Sequence, residues 1–268
     1  NIEDKLKQHI KNFDLMLDSS AYLIFDLSLR SKLDKVEIST NIIKNIIQDA
    51  KSIVENNYKD FKILHLIILK YIIDGNEYVE FPNNLISNDL VIEIKFILLP
   101  IKIIDKIRDL FKLNHISLNN IYNSSYLKSL NCNRHFQEFD TKVFLDIGLI
   151  RSCLIVYKKN TIKFIDYIPI GGQHITNDIS KVLKINYKEA ETLKKSLKQT
   201  NAILENHESK DLLINVIHAR VEEIIDLSFK SLNNLNYLKN TNSILVFMGE
   251  GSKILDKNSI YLKEEYNK

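Results

Sequence analysis

Three short runs rich in β-branched residues follow one another between Val143 and Ile168: VFLDI, CLIVY and, after a Lys-Lys-Asn turn, TIKFIDYI. Runs of that length and composition predict a meander of neighbouring strands. No other part of the chain limits the fold as tightly. Beyond them the apolar spacing predicts helices over Gln173–Leu183 and Tyr187–Leu197, then a long one from about Ser209 to Leu232 carrying Leu212, Leu213, Val216, Arg220 and Ile224. A last strand, SILVFM, leads into Gly249-Glu250-Gly251-Ser252. Strands and helices mixed in this way belong to an α/β architecture.

The upstream half reads differently. Asn1 can cap an amphipathic helix with Ile2, Leu6, Ile10, Phe13 and Leu17 at helical spacing and Glu3 and Asp4 in its first turn. Ala21–Leu27 reads as a short strand, and Ser39 caps a helix bearing Ile42, Ile43, Ile46, Ile47, Ala50 and Ile53. A strand over Ile63–Leu69 precedes an Asp74-Gly75 turn; VIEIKFIL then alternates Ile92, Ile94, Phe96 and Leu98 on one face before Pro100 starts another helix. Asp34–Leu113 is therefore expected to form a small α+β unit. A helix around Ile121–Leu130 and a polar break over Asn131–Thr141 suggest a lobe boundary.

With 268 residues the chain has room for one large domain or two ordinary ones. Its 37 basic and 34 acidic residues balance too evenly to argue for a nucleic-acid partner. Cys132 and Cys153 have no metal-ligand or disulfide spacing, which fits a reducing cytoplasm. The most apolar runs, 63–73 and 90–107, are broken by His65, Lys70, Glu93, Lys95 and Pro100, short of the ~20 apolar residues of a membrane span. No signal peptide opens the chain. It starts at Asn1 inside a helical pattern, and the expectation is that the natural protein extends upstream. His65 reads as a satisfied core residue and His174 as a capping or turn residue; Ser152 follows no nucleophile-elbow pattern.

Asp146-Ile147-Gly148 closes one strand and opens a turn where a carboxylate and a glycine can meet a phosphate and its magnesium ion. Taken alone it is an ordinary strand-end turn. Its context is more specific: Ile168-Pro169-Ile170-Gly171-Gly172, then His174-Ile175-Thr176-Asn177, then Glu189-Ala190-Glu191 with Lys194-Lys195, and finally Gly249-Glu250-Gly251-Ser252. In that order and spacing these segments resemble the second lobe of the bacterial cell-division family FtsA, actin-like ATPases that tether FtsZ filaments to the membrane. Upstream, LHLIILKYIIDG and VIEIKFILLPIKIIDKIRDLFKLNHISLNNI resemble that family's inserted subdomain. The pilus-assembly adaptor family PilM shares the architecture and is the alternative.

The resemblance implies an actin-like, ribonuclease H-like two-lobed fold with an inserted SHS2-type α+β subdomain. Residues 1–33 and 114–141 would be the remnant of the first-lobe base, 34–113 the insert, 142–186 and 241–268 the second-lobe base, and 187–240 its outer subdomain. It implies Mg-ATP held by Asp146, Gly148, Arg151, Glu191, Lys194, Gly249, Gly251 and Ser252, with Asp146 facing the metal. It further implies self-association or polymerisation, and binding of the FtsZ C-terminal peptide by the outer subdomain, where Arg220, Glu223 and Lys230 lie near one side of the long helix. A charged stripe of this kind is also an ordinary solvated face. The implied site of action is the cytoplasmic face of the inner membrane at the division site, reached through a C-terminal amphipathic helix. By the family pattern the far end is expected to be incomplete at Lys268, and the charged residues 256–268 lack the apolar face that anchoring needs.

The chain departs from the family where nucleotide chemistry is concentrated. The family's phosphate loop runs approximately Asp-Ile-Gly-Gly-Gly-Thr-Thr-Asp; here it is Asp146-Ile147-Gly148-Leu149-Ile150-Arg151-Ser152-Cys153. Glycine reaches left-handed angles that cost an L-residue roughly 1–2 kcal/mol and lets backbone amides approach phosphate oxygens. Leu149 and Ile150 add bulk instead. Arg151 offers either a charge-assisted donor to a phosphate or, more simply, a surface arginine in a tightened turn. Glu250 puts a carboxylate where phosphates would be repelled, and Glu191 with Lys194 can equally be an exposed pair one helical turn apart. The expectation is an adaptor whose ATP binding is weakened or lost; the alternative is a fully ATP-binding member in which Asp146, Arg151 and the Gly249 turn still hold Mg-ATP and which works as a slow switch. With only six glycines in the chain, asparagine is expected to take over several left-handed turns.

Overall fold

The computed structural model describes Lys5, Lys7 and residues 11–196, 207–233 and 242–254. Contacts divide the chain into two units, Asn1–Leu127 and Lys128–Lys268. The first contains β1 (Asn12–Leu17), β2 (Leu23–Glu37), α1 (Thr40–Asn57), β3 (Phe61–Ile73), β4 (Asn76–Tyr78), β5 (Ile86–Pro100), α2 (Ile101–Leu113), β6 (Ser117–Asn123) and the start of α3 (Ser124–Asn133). Its main sheet is antiparallel in the order β2-β5-β3-β4.

Two periodicities meet in that sheet's core. Along β5, Leu90, Ile92, Ile94, Phe96 and Leu98 alternate onto one face, and α1 lays Ile43, Ile46, Ala50 and Val54 over them. Val54 rather than Ile53 completes the helical stripe, and Ile53 remains exposed. Each of these side chains other than Ala50 contributes about 1.5–3 kcal/mol by leaving water. Ser39 caps α1 as expected, its hydroxyl accepting from the Ile42 amide. The opposite face of the sheet is polar midway along β5, where Lys95 pairs with Asp26 and Lys70 with Glu77 and Glu93. Asp74-Gly75 turns β3 into β4 with both residues left-handed, as a tight hairpin of this kind demands.

One expected helix gives way to a strand, and another starts a few residues later than expected. Asn12–Leu17 is β1, paired in parallel with β6, while Asn1, Ile2, Glu3, Asp4, Leu6 and Ile10 lie outside the described residues. A four-residue spacing such as Phe13 to Leu17 suits either structure; pairing with β6 decides for the strand, and Leu15 then turns inward with Leu17. Likewise Ile121 belongs to β6, and α3 begins only at Ser124. Asn123 sets that start, because its side-chain oxygen accepts from the Tyr126 amide. The β1–β6 pair packs with α2 through Leu15, Leu17, Ile104, Ile107 and Ile121. The four-stranded sheet begins at Leu23, and α2, which follows its strand β5 directly, packs against β1 and β6 instead.

His65, on β3, is the satisfied core histidine the sequence suggests. Its Nε2 accepts from the Asn123 amide at 2.9 Å, with the rings of Tyr122 and Tyr126 beside it. Burial lowers its pKa from the ordinary 6.5 to about 4. The neutral ring therefore stabilises the fold fully above pH 6.5, and this contribution is lost as pH falls toward 4, by up to about 3 kcal/mol. Urea unfolding from pH 7 to 4 is expected to show that decline, and His65→Gln to flatten it. Identical slopes in the two proteins would refute the assignment.

The second unit holds β7 (Thr141–Ile147), β8 (Ser152–Lys158), β9 (Thr161–Ile168), α4 (Gly172–Leu183), α5 (Tyr187–Ser196), α6 (His207–Asn233), β10 (Ser243–Met248) and a 3₁₀ turn at Glu250–Ile254. The predicted meander is present, and β10 adds in parallel to β7, giving the order β10-β7-β8-β9. Every residue of β7 is buried. Val143, Leu145 and Ile147 face Ile175 and Ile179 of α4, Ala190 of α5 and a stripe along α6 made of Leu213, Ile217, Val221, Ile224 and Phe229. Leu212, expected within that apolar series, is exposed. On the other face Phe144 packs edge-on to Tyr157, whose hydroxyl meets Ser129 at 3.0 Å. Asparagine takes left-handed angles at Asn84 and Asn160, but Lys159, Lys184, Asp74 and His115 do so as well. Leu197, the expected end of α5, lies outside the described residues.

Candidate functional site

The carboxyl end of β7, the β7–β8 hairpin, the start of α4, the last turn of α5 and the turn after β10 converge on one cluster. Asp146 is buried at the end of β7, and its carboxylate lies 3.1 Å from the Lys128 ammonium of α3. Gly249 folds directly over it. A Cβ on Gly249 would stand 2.3 Å from Asp146 Oδ1 and 2.6 Å from the Ile147 carbonyl, and its φ of +85° is one that L-residues avoid. Gly251 lies as tightly against Ile147, and the Ser252 hydroxyl closes the turn by donating to the Gly249 carbonyl at 2.8 Å.

The hairpin itself is not strained. Gly148 donates its amide to the Arg151 carbonyl at 3.0 Å, and Leu149 and Ile150 form a two-residue tip, each 59% exposed. Neither has a positive φ, so the missing glycines have been absorbed by a different turn and the left-handed penalty anticipated for L-residues does not arise. The tip is held from below by α4: the amides of Gly172 and Gln173 donate to the carbonyls of Gly148 and Leu149 at 2.8 and 2.7 Å. Gly171 donates to His174 Nδ1, making His174 the capping residue predicted. The first amides of a helix are its usual anion-binding groups. Here they are occupied by the protein's own backbone, and so close a seat explains Gly171, whose Cβ would fall within 2.6–2.8 Å of three loop backbone atoms.

Lys194 and Glu191 are not the exposed pair that their spacing allows. The Lys194 side chain is 7% exposed and donates to the Gly172 carbonyl (3.0 Å), Thr176 Oγ1 (2.7 Å) and Glu191 Oε2 (2.7 Å). Burial raises the Glu191 carboxyl, but hydrogen bonds from Lys194, Thr176 and Lys195 outweigh it and leave the group below its ordinary value. Glu250 points outward and pairs with Lys253 at 2.6 Å.

Arg151 departs from the expectation of a surface arginine. It is buried, with its guanidinium carbon 3.8 Å above the Tyr167 ring. Cys153 and Tyr167 are cross-strand partners, so Arg151, two residues before Cys153 on the same face, lies diagonal to that ring. Arg220 is similarly committed. Its Nε donates to Asp178 of α4 at 2.6 Å and a second nitrogen to Glu223, and the Asp178 hydrogen bond raises its pKa. Glu223 and Lys230 remain exposed.

The cluster therefore unites Asp146, Gly148, Glu191, Lys194, Gly249, Gly251 and Ser252, keeps the Arg151 side chain for Tyr167, and leaves Arg220 of α6 elsewhere, paired with Asp178 of α4. Lys128 is the member that sequence reading missed. It lies 18 residues before Asp146 on a helix, and no local spacing links the two. The arrangement does not fit a magnesium nucleotide held in the implied way. The α4 amides, the Asp146 carboxylate and the Lys194 ammonium all have partners inside the protein. Among the described residues, no group of three or more His, Cys, Asp or Glu side chains is arranged to hold a metal ion.

Two family descriptions match the chain: cell division protein FtsA over residues 143–251, and the SHS2 domain inserted in FtsA over residues 25–98. The chain is a divergent FtsA-like protein. The FtsA of Buchnera aphidicola subsp. Baizongia pistaciae is 26% identical over 215 residues, covering 74% of this chain and 50% of that protein. The FtsA of Streptococcus pneumoniae is 23% identical over 208 residues, covering 74% and 45%. This FtsA-like chain thus spans about half the length of the curated relatives it matches. Its fold also resembles a solved PilM-PilN type IV pilus biogenesis complex, with a TM-score of 0.67 at 10% identity over 96% of this chain and 68% of that one. Its architecture is actin-like, with an inserted SHS2 domain. The SHS2 match coincides with the sheet running from β2 to β5.

Proposed function

We propose that this chain is a cell-division adaptor that binds the C-terminal peptide of FtsZ and copies of itself, linking FtsZ filaments to the cytoplasmic face of the membrane at the division site, with weakened use of Mg-ATP. FtsA relatedness supports the division role. The observation that carries the adaptor over an ATP-driven switch is the seat of the β7–β8 hairpin, where the α4 amides bond loop carbonyls instead of standing open to a phosphate. On the outer part of the second unit, Glu223 and Lys230 are exposed and supply charge for a peptide partner, while Arg220 holds α6 to α4. Among the described residues no helix is long and apolar enough to cross a membrane.

The test is co-sedimentation of the purified chain with FtsZ filaments, using full-length FtsZ and FtsZ lacking its C-terminal peptide. Pelleting is expected with the first and at least several-fold less with the second. Folded protein that stays in the supernatant with both would defeat the FtsZ reading. The likeness to the PilM-PilN complex then favours a pilus-type adaptor on the same architecture.

A further inference from the structure

Asp146 carries the strongest unassigned signal in the second unit. Its side chain is 4% exposed, yet among the described residues its only hydrogen-bonding cation is the Lys128 ammonium, which touches both carboxylate oxygens, at 3.1 and 3.3 Å. An ionised carboxylate taken out of water needs a fixed positive charge beside it. In a magnesium-nucleotide site the cation supplies it. Here α3 delivers one on a covalent tether, reaching in from a side chain that is itself 40% exposed.

We propose that the Lys128 ammonium is a built-in replacement for the divalent cation at Asp146, holding the β7 end and the Gly249 turn in place without bound metal or nucleotide. Independence from nucleotide rests on the proposed reading of Asp146 as the metal-facing carboxylate. Three further features support it. The Gly249 turn packs within van der Waals contact of the same carboxylate, so the charge must be neutralised for the turn to sit there. Lys194 does the equivalent for the neighbouring carboxylate, Glu191, so two tethered ammoniums serve two carboxylates around one pair of glycine turns. Lys128 also lies close enough to Glu250, as Lys195 does, to help hold that carboxyl below its ordinary range beside its main partner Lys253. The cluster as a whole alternates Asp146, Glu191 and Glu250 with Lys128, Lys194, Lys195 and Lys253, and resembles a set of internal counter-ions rather than an open anion site.

The assignment predicts a magnesium response that the natural chain lacks and one substitution uncovers. Thermal unfolding is followed for the wild-type chain, Lys128→Met, Lys128→Arg and the double variant Lys128→Met/Asp146→Asn, in magnesium chloride and in sodium chloride of matched ionic strength. Wild type and Lys128→Arg are expected to unfold at the same temperature in both salts. Lys128→Met is expected to gain about 3 °C in ~10 mM magnesium, for a site of roughly millimolar affinity, and the gain is expected to vanish in the double variant. If Lys128→Met does not fold, Lys128→Gln, whose amide can still donate to Asp146, takes its place with the same reading. An equal magnesium gain in the wild type would overturn the proposal, as would no gain in the uncharged variant. A chain that ignores FtsZ but shows this pattern loses the adaptor reading and keeps the lysine assignment; the reverse result does the opposite.

Discussion

Gly249→Ala is expected to destabilise the second unit by about 4 kcal/mol, whereas Gly75→Ala costs only about 1 kcal/mol. The two glycines are a matched pair in backbone angle, with φ of +85° and +88°. Both substitutions therefore carry the left-handed penalty. They differ in surroundings: a Cβ at Gly75 meets nothing within 4 Å, while one at Gly249 meets Asp146 Oδ1 at 2.3 Å and the Ile147 carbonyl at 2.6 Å. Backbone cannot swing aside as a flexible side chain does, so the turn must lift off the buried carboxylate and undo its neutralisation. Denaturant unfolding of the two variants measures the difference directly. If Gly249→Ala fell within 1 kcal/mol of Gly75→Ala, the tight seat of the turn on Asp146 would be wrong.

Lys194→Met is expected to cost about 3 kcal/mol at pH 7, and less as the solution is acidified toward pH 5. Methionine keeps most of the volume but removes an ammonium that serves the Gly172 carbonyl, Thr176 and Glu191. Glu191 then retains only the exposed Lys195 and the Thr176 hydroxyl. The sign follows from which protonation state each fold prefers. In the wild type the Glu191 carboxyl is held below 4.5, so its contribution is present above that pH and lost only as pH drops through the lowered value. In the variant burial prevails and lifts the carboxyl, so protonation relieves the folded state first and the gap to wild type narrows on acidification. Unfolding free energies of both proteins at pH 7 and pH 5 provide the comparison. A gap that does not change with pH would mean that Glu191 is not the group left uncompensated.

The features legible from sequence were those in which residue type and periodicity speak for themselves. The meander from Val143 to Ile168, the Ser39 cap, the Asp74-Gly75 hairpin and the alternation along β5 all appear where expected, because each depends on neighbours only a few residues away. Failures came where two local readings were equally good. Phe13 and Leu17 suit a helix or a strand, and pairing with β6, more than a hundred residues along, decided for the strand. Ile121 was drawn into a helix because nothing nearby shows that Asn123 caps the next one.

For the candidate site the same distinction separates residues from their roles. Composition and order identified the glycines at 148, 171, 172, 249 and 251, the carboxylate at 146 and the pair at 191 and 194, and made the family resemblance visible. Their partners were decided only in three dimensions. Lys128 reaches Asp146 from helix α3, Arg151 turns onto Tyr167 across the sheet, and the α4 amides find the carbonyls of a hairpin more than twenty residues upstream. The physical reason is range. Backbone angles, caps and apolar stripes are set by steric and hydration terms acting over one or two turns of chain, whereas a charge or an amide at a site is satisfied by whichever group packing brings within about 3 Å, irrespective of its position in the sequence.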